Sequence, residues 1–425
     1  MAKLFPFKGY RYSTEKIGKI ADVVTQPYDK ISTEMKQNYL GKNPFNIVRV
    51  IKNPDYARAS QHLNQWIQQE VLKKDTTASF YPYQQTFEFE GNSFSRLGVI
   101  GLLSLEDSDL AVKGHERVLA KPLEDRLNLI RSTQSNEGLI FMLHSDPSMS
   151  VDRLLSAFTN NSEPVTTVED EYQVTHQLWN LPDQNIQKKI IEILDGSAFY
   201  IADGHHRFRT SQIYLQECKK KGWQTGATES FDKRMIALFN MENPSLKILP
   251  THRGVRNLTN FDLNDFLSHL ETFFHIQSVS TVQELSSSME TPGTRIGLME
   301  QNGKNWLLHM KDSAQKDTSF MPNIDGPARK LDVNVLHEGI LLPVLEIGEK
   351  EIAEQDYVSY FRSPKNLVEQ LRAGQYQLGF LLNPTTVKQV RQISEKGEKM
   401  PPKSTDFYPK LLTGLTLMKM EIDHE

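Results

Sequence analysis

The sequence predicts an α+β fold of mixed sheets and helices, and three observations predict it. Stretches of period-2 and period-3.6 hydrophobicity follow one another without the regular strand–helix–strand rhythm of a parallel sheet. Two neighbouring alternating stretches read as a hairpin, which demands an antiparallel pair. The 425 residues, 38% of them hydrophobic, exceed what one core normally holds, so more than one domain is expected. The expected division is an N-terminal α+β region over 1–255 and a C-terminal α+β region over 256–425.

Taken in order, Leu63, Trp66, Ile67 and Val71 recur at helical spacing, with Ser60 as the expected N-cap. Phe80 to Phe89 alternates, Gly91-Asn92 marks a turn, and Phe94 to Leu105 completes the hairpin. A helix is expected from near Pro122 to Thr133, and the polar stretch from Asn160 to Tyr172 reads as a loop. Residues 183 to 195 resume a helical pattern. The apolar run Ser197 to Ala202 reads as a buried strand. Phe208, Ser211, Tyr214, Leu215 and Cys218 then mark a helix closed by Lys219, Lys220, Lys221 and Gly222. In the second region Leu263, Phe266, Leu267, Leu270 and Phe273 form an amphipathic helix. Strands are expected near Arg295 to Met299 and Trp306 to Met310, with a final one over Leu415 to Ile422.

Composition narrows the function classes. A net charge of −4, from 49 basic and 53 acidic residues, presents no broad basic field, so nucleic acid is not expected as a partner. A single cysteine, Cys218, fits a reducing compartment and supplies no thiolate cluster for zinc. The start, Met1 to Pro6, has no apolar h-region, and the longest apolar stretch is about half of the ~20 residues a membrane helix needs. A soluble cytoplasmic protein is expected, with a homodimer compatible with the sequence.

The ten residues IADGHHRFRT, Ile201 to Thr210, concentrate the chemistry. A buried strand stops at Asp203-Gly204, a pair suited to a tight turn because Gly takes positive φ freely. A helix then begins with His205, His206 and Arg207. The first amides of a helix lack internal partners and lie at the positive end of its dipole, so they receive phosphate. Arg207 adds a fork matched to phosphate oxygens, and the histidines donate hydrogen bonds or exchange protons near neutrality. Asp203 would repel phosphate. It makes better sense holding a divalent cation, orienting a histidine or accepting a proton.

Familiar signatures are missing. There is no P-loop and no G-x-G-x-x-G after a strand. No D-F-G accompanies His252-Arg253, and no G-x-S-x-G elbow occurs. His115-Glu116 opens like a zincin helix, but Leu119 stands where the second histidine belongs.

With these residues in view, the chain resembles the prokaryotic family catalogued as domain of unknown function 1015, whose signature is ADGHHRY; Phe208 stands here for its Tyr. The resemblance extends to Pro6 to Gly9, to Val23 to Asp29 with Gln26 in place of a second proline, and to His115-Glu116, Lys121-Pro122 and Glu124 to Arg126. It continues through Leu249 to Arg253, Met400 to Thr405 and Phe407 to Lys410. More distantly, the DGHHR loop is similar to the phosphate-binding loop of the ParB and sulfiredoxin superfamily, including its free-serine kinases. That likeness implies a phosphate-binding core with nucleotide phosphates at the helix start and an acidic residue near the N-terminal strand activating an acceptor hydroxyl.

The expected function is phosphoryl transfer: a nucleotide-dependent kinase of a small hydroxylated metabolite, serine leading, with ATP or ADP as donor and Mg²⁺ as cofactor. The alternatives are a phosphoserine-type phosphatase and a ParB-like nucleotide-binding switch. Asp203, His205, His206 and Asp29 are the expected catalytic residues, with Asp203 also the metal ligand. Gly204, Arg207, Lys121, Arg126, His252, Arg253, Lys403 and Ser404 are expected to contact phosphate or ligand. Met400 to Thr405 is read as a rigid extended segment because each proline fixes its own φ.

Overall fold

The computed structural model describes residues 2–106, 108–118, 120–354 and 356–424. It is an α+β protein that divides into two compact units. One comprises residues 1–114, 118–247 and 407–425; the other comprises 115–117 and 248–406. The expected boundary at 255/256 therefore moves to 247/248. The last residues, expected with the C-terminal region, pack within the first unit.

The first unit is built on a nine-stranded mixed sheet. Its strands are β1 (Leu4–Phe5), β2 (Tyr81–Phe89), β3 (Asn92–Ser104), β4 (Val112–Lys113) and β5 (Ile140–His144). β6 (Thr166–Glu169), β7 (Thr175–Leu178), β8 (Phe199–Asp203) and β9 (Lys233–Asn240) complete it. The order is β4-β8-β5-β9-β3-β2-β7-β6, with β1 on β3. β2 and β3 form the expected hairpin. β9 runs parallel to β5 but antiparallel to β3, which makes the sheet mixed.

Around it lie helices α1 (Tyr56–Gln68), α2 (Ala120–Thr133), α3 (Ser150–Thr159), α4 (Gln184–Leu194) and α5 (His205–Lys220). α1 starts earlier than its apolar spacing suggested. Asp55, not Ser60, is the N-cap, accepting from the Arg58 amide at 3.1 Å. The polar stretch over 160–172 is not all loop, since β6 lies within it. Its burial alternates, with Thr166 and Val168 inward, a period-2 pattern too short to stand out among polar neighbours. The expected final strand is replaced by two short pairings, Met418–Lys419 with Ser135–Asn136 and Ile422–Asp423 with Gln224–Thr225.

The second unit holds a six-stranded sheet of β10 (His252–Val255), β11 (Phe274–Val279), β12 (Arg295–Glu300), β13 (Asn305–Met310), β14 (Val358–Phe361) and β15 (Leu378–Leu382). The order is β11-β13-β12-β15-β10-β14, and its register pairs are antiparallel. Val279, Leu285, Met289, Met299, Leu307, Leu367 and Leu371 form one of its buried clusters. Among the described residues, no helix is long and apolar enough to cross a membrane.

Candidate functional site

β8 delivers the DGHHR residues to the end of the first unit's sheet. Its register against β5 slips between Ile201 and Asp203, so two steps on β8 oppose one on β5. A bulge of this kind re-aims the side chain that follows it. Asp203 ends the strand, and Gly204 turns the chain with φ 106°, a conformation L side chains rarely adopt. α5 begins at once, anchored by buried Phe208, Tyr214, Leu215 and Cys218 on its inner face. Phe208 and Leu215 each contribute about 1.5–3 kcal/mol of apolar burial, so the loop sits on a firm element.

The Asp203 carboxylate is held between two cations. It accepts a hydrogen bond from Lys410 Nζ at 2.8 Å, and Arg207 Nη2 lies 3.7 Å away. Burial alone would raise its pKa, but the Lys410 and Arg207 charges overcome that and hold it far below the usual carboxylate range. Such a weak base takes no proton near neutrality, which argues against Asp203 as general base. Among the described residues no group of three or more His, Cys, Asp or Glu gathers to hold a metal. With two cations already on Asp203, the donors here do not fit a resident divalent ion.

Arg207 is buried, with its guanidinium laid against Gly204 and Gly138. A Cβ built on either glycine would stand 3.2 Å and 3.4 Å from its nitrogens. Its Nη1 donates to the Leu139 carbonyl. Gly204→Ala should therefore lose about 1–3 kcal/mol from the positive φ alone. It should also displace Arg207, so thermal unfolding is expected to fall while any phosphate-ligand affinity drops with it. An Ala variant with unchanged melting would show that the turn tolerates a Cβ. His205 is buried, its ring over Gly114, whose Cβ would meet His205 Cδ2 at 3.1 Å; His206 is half-buried.

Other residues of the first unit join this place. Tyr28, Asp29 and Lys30 form a single 3₁₀ turn, with Asp29 exposed. Tyr28 lies in the fields of Asp29, Arg126, Arg207 and Asp203, and burial first and Asp29 second push its hydroxyl up to about 12. Arg126, on α2, stacks its guanidinium 4.1 Å from the centre of the Tyr28 ring. It also pairs with Asp125 at 2.6 Å and donates to the Ile51 carbonyl at 3.0 Å. Lys121 lies on α2 too, but its side chain is outside the described residues.

The remaining expected contacts belong to the second unit, where three motifs meet. The Met400 amide donates to the His115 carbonyl at 2.7 Å, and His115 Nε2 lies 3.0 Å from Thr405 Oγ1. The Lys403 amide donates to Glu116 Oε1 at 3.3 Å, and Arg253 Nη2 donates to the Lys403 carbonyl at 3.1 Å. Buried Arg253 thus spends its fork on backbone, including the Thr251 carbonyl, and stacks 5.2 Å from the Tyr360 ring centre. His252 Nδ1 accepts from the Leu382 amide at 3.2 Å, and burial first, then Arg253, presses its imidazole down to about 4. It is a neutral structural histidine at pH 7. The segment over 400–405 is not extended: Lys403 has φ 60°, and Ser404 Oγ donates back to the Pro401 carbonyl at 2.6 Å.

Sequence reasoning missed Lys410, Arg234, Glu137 and Thr210 as parts of this environment. Lys410 stood in the Phe407 to Lys410 string, which was a signal of position without a role. Thr210 closed the IADGHHRFRT string, again without a role, and Arg234 and Glu137 carried no signal.

Comparison with family models matches residues 4–334 to a family described as "Protein of unknown function (DUF1015)". Among curated proteins nothing matches. Among solved structures, a conserved hypothetical protein from Pyrococcus furiosus is similar at 13% identity and TM-score 0.34, covering 72% of this chain and 89% of that one. A free serine kinase in complex with AMP is similar at 12% identity and TM-score 0.37, covering 72% and 86%. SbnI with C-terminal truncation, from Staphylococcus aureus, is similar at 10% identity and TM-score 0.36, covering 74% and 85%.

Proposed function

We propose, for a chain that belongs to the DUF1015 family of proteins of unknown function, a phosphoryl-transfer reaction: a nucleotide-dependent kinase of a small hydroxylated metabolite, with serine the leading acceptor and ATP or ADP the donor. The observation that carries it is the convergence of Arg207 and Lys410 on Asp203, at the left-handed Gly204 turn into α5. Phosphoryl transfer asks little covalent chemistry of a protein. It asks for positioned cations and amide donors around the phosphates and a base at the acceptor oxygen.

In this reading the first amides of α5 and half-buried His206 receive the phosphate. Asp203 serves as an anchor that fixes Lys410 and Arg207 rather than as base or metal ligand. Exposed Asp29, on the turn beside Tyr28, is the carboxylate that takes the acceptor proton. Any Mg²⁺ would enter on the nucleotide's own phosphates, since the donors around Asp203 do not favour a resident ion.

The test combines binding with turnover. ATP or ADP at ~100 times its Kd should stabilise the protein by ~2.7 kcal/mol, and Arg207→Ala should abolish that shift while staying folded. Incubation with nucleotide and serine, followed by ³¹P NMR, should then show phosphoserine. Phosphate release from phosphoserine without nucleotide would replace the kinase by a hydrolase. Stabilisation with no turnover of any small acceptor would leave a nucleotide-binding switch.

A further inference from the structure

Behind the DGHHR loop, on the Arg207 and Thr210 side of α5, the first unit has a small, partly open pocket of about 40 Å³. It is lined by Arg126, Leu129 and Ile130 of α2, by Ser135, Glu137 and Gly138, by Arg234 of β9, and by Tyr28, Ile51 and Thr413. A water needs ~10–15 Å³ of such space, so the room is that of about three waters. A single tetrahedral oxyanion fits this volume.

The lining lacks a partner that an anion would supply. Arg207, Thr210 and Arg234 are each more than nine-tenths buried, and Arg207 Nε, Arg234 Nε and Thr210 Oγ1 have no hydrogen-bond partner among the described residues. A buried donor left unmade costs about 1–3 kcal/mol. Positive groups gather around the pocket. Arg126 pairs with Asp125, Arg207 and Lys410 both meet Asp203, and Arg234 lies in the fields of Arg207 and Glu137. Glu137 is also in the field of Lys419 and accepts from Ser135 at 2.7 Å, which divides its charge further. Burial first, and then the neighbouring Arg207, presses the Arg234 guanidinium down to about 9.

The geometry points to a second site, which shares Arg207 with the DGHHR loop, for a free phosphate-sized oxyanion between α2 and α5, held by Arg207, Arg234 and Thr210 with Arg126 at its wall. The site stands whether or not the DGHHR loop turns a nucleotide over. Arg234 already spends Nη2 on the Gly138 carbonyl at 2.7 Å, and its buried Nε remains to be satisfied.

Inorganic phosphate, titrated without nucleotide and followed by calorimetry and thermal unfolding, tests this on the whole chain. Phosphate should bind and stabilise the native protein, and sulfate should compete. Arg234→Met should weaken phosphate binding on the order of a hundredfold, as loss of a buried charged donor does. Without phosphate the same variant should melt lower than wild type, because the Gly138 carbonyl and Glu137 lose their partner, so the phosphate affinity is read by calorimetry on the folded variant. Thr210→Val, which keeps every charge, should weaken phosphate by a smaller factor of about tenfold, so the inference stays testable if Arg234→Met does not fold. No phosphate binding at tens of millimolar by the native protein, or equal binding by wild type and Thr210→Val, would overturn it. A phosphate response that persists while ATP and ADP fail to bind would leave this site standing and remove only the kinase.

Discussion

Asp203→Asn should lower the stability of the first unit by about 3 kcal/mol, and adding Lys410→Met should restore most of it. Removing one partner of a buried ion pair leaves the other charge uncompensated, an effect of about 3–5 kcal/mol. The lower end applies because the Asp203 side chain keeps 21% exposure, whereas Lys410 keeps 7%. Asn also leaves Arg207 without its carboxylate neighbour at 3.7 Å. The sign with pH follows from the depressed Asp203 pKa. The stabilisation is fully present above the ordinary carboxylate value of ~3.9 and is lost as pH falls below it. Wild type and Asp203→Asn should therefore converge in denaturant midpoint as the medium is acidified below about pH 4. Two single variants whose losses simply add in the double variant would show that Lys410 and Asp203 do not act as a pair.

This expectation differs from the one the sequence supports. From sequence, Asp203 is a turn residue with a spare carboxylate, free to hold a metal. What changes it is Lys410, 207 positions along the chain. The strand–turn–helix around Asp203-Gly204 was legible because it is local: apolar run, glycine, then apolar residues at helical spacing. So were the hairpin of β2 and β3 and the strands β12 and β13. The ion pair was not, because nothing in local periodicity says which distant side chain meets a carboxylate. The same limit hid Arg234, which reads as one residue of a buried strand until α5 and α2 pack beside it. His252 and Arg253 illustrate the converse. Their residue types suggest a ligand site, but His252 accepts from the Leu382 amide of β15 and Arg253 donates to the Thr251 and Lys403 carbonyls, bonds that a sequence does not display. Lys403 departed from the extended reading for a related reason. A proline constrains its own φ and its predecessor, and leaves the residue after it free to turn.

The same dependence on distant residues sets the largest effect expected outside the loop itself, at Arg96. Arg96 is 1% exposed in the middle of β3. Its guanidinium donates to Gln85 Oε1 at 2.6 and 2.9 Å, to the Tyr408 carbonyl at 3.0 Å and to the Pro409 carbonyl at 2.5 Å. The rings of Phe141 and Phe239 flank it at 4.7 and 5.2 Å. Gln85 in turn donates to the Lys410 carbonyl at 2.8 Å. Thus Arg96 and Gln85 tie down the three residues that carry Lys410 to Asp203. Arg96→Met fills similar space but orphans three acceptors, two of them buried and the Tyr408 carbonyl partly so, at about 1–3 kcal/mol for each buried one. Removing a desolvated charge, which burial already presses down to about 9, offsets part of that loss. The net expectation is about 3 kcal/mol of lost stability, with hydrogen-exchange protection lost first over 407–412. Because Arg96 acts through Lys410, its effect should shrink in a chain that already carries Lys410→Met. Full additivity of the two changes, with protection at 407–412 intact, would show that Arg96 supports the sheet and not the site.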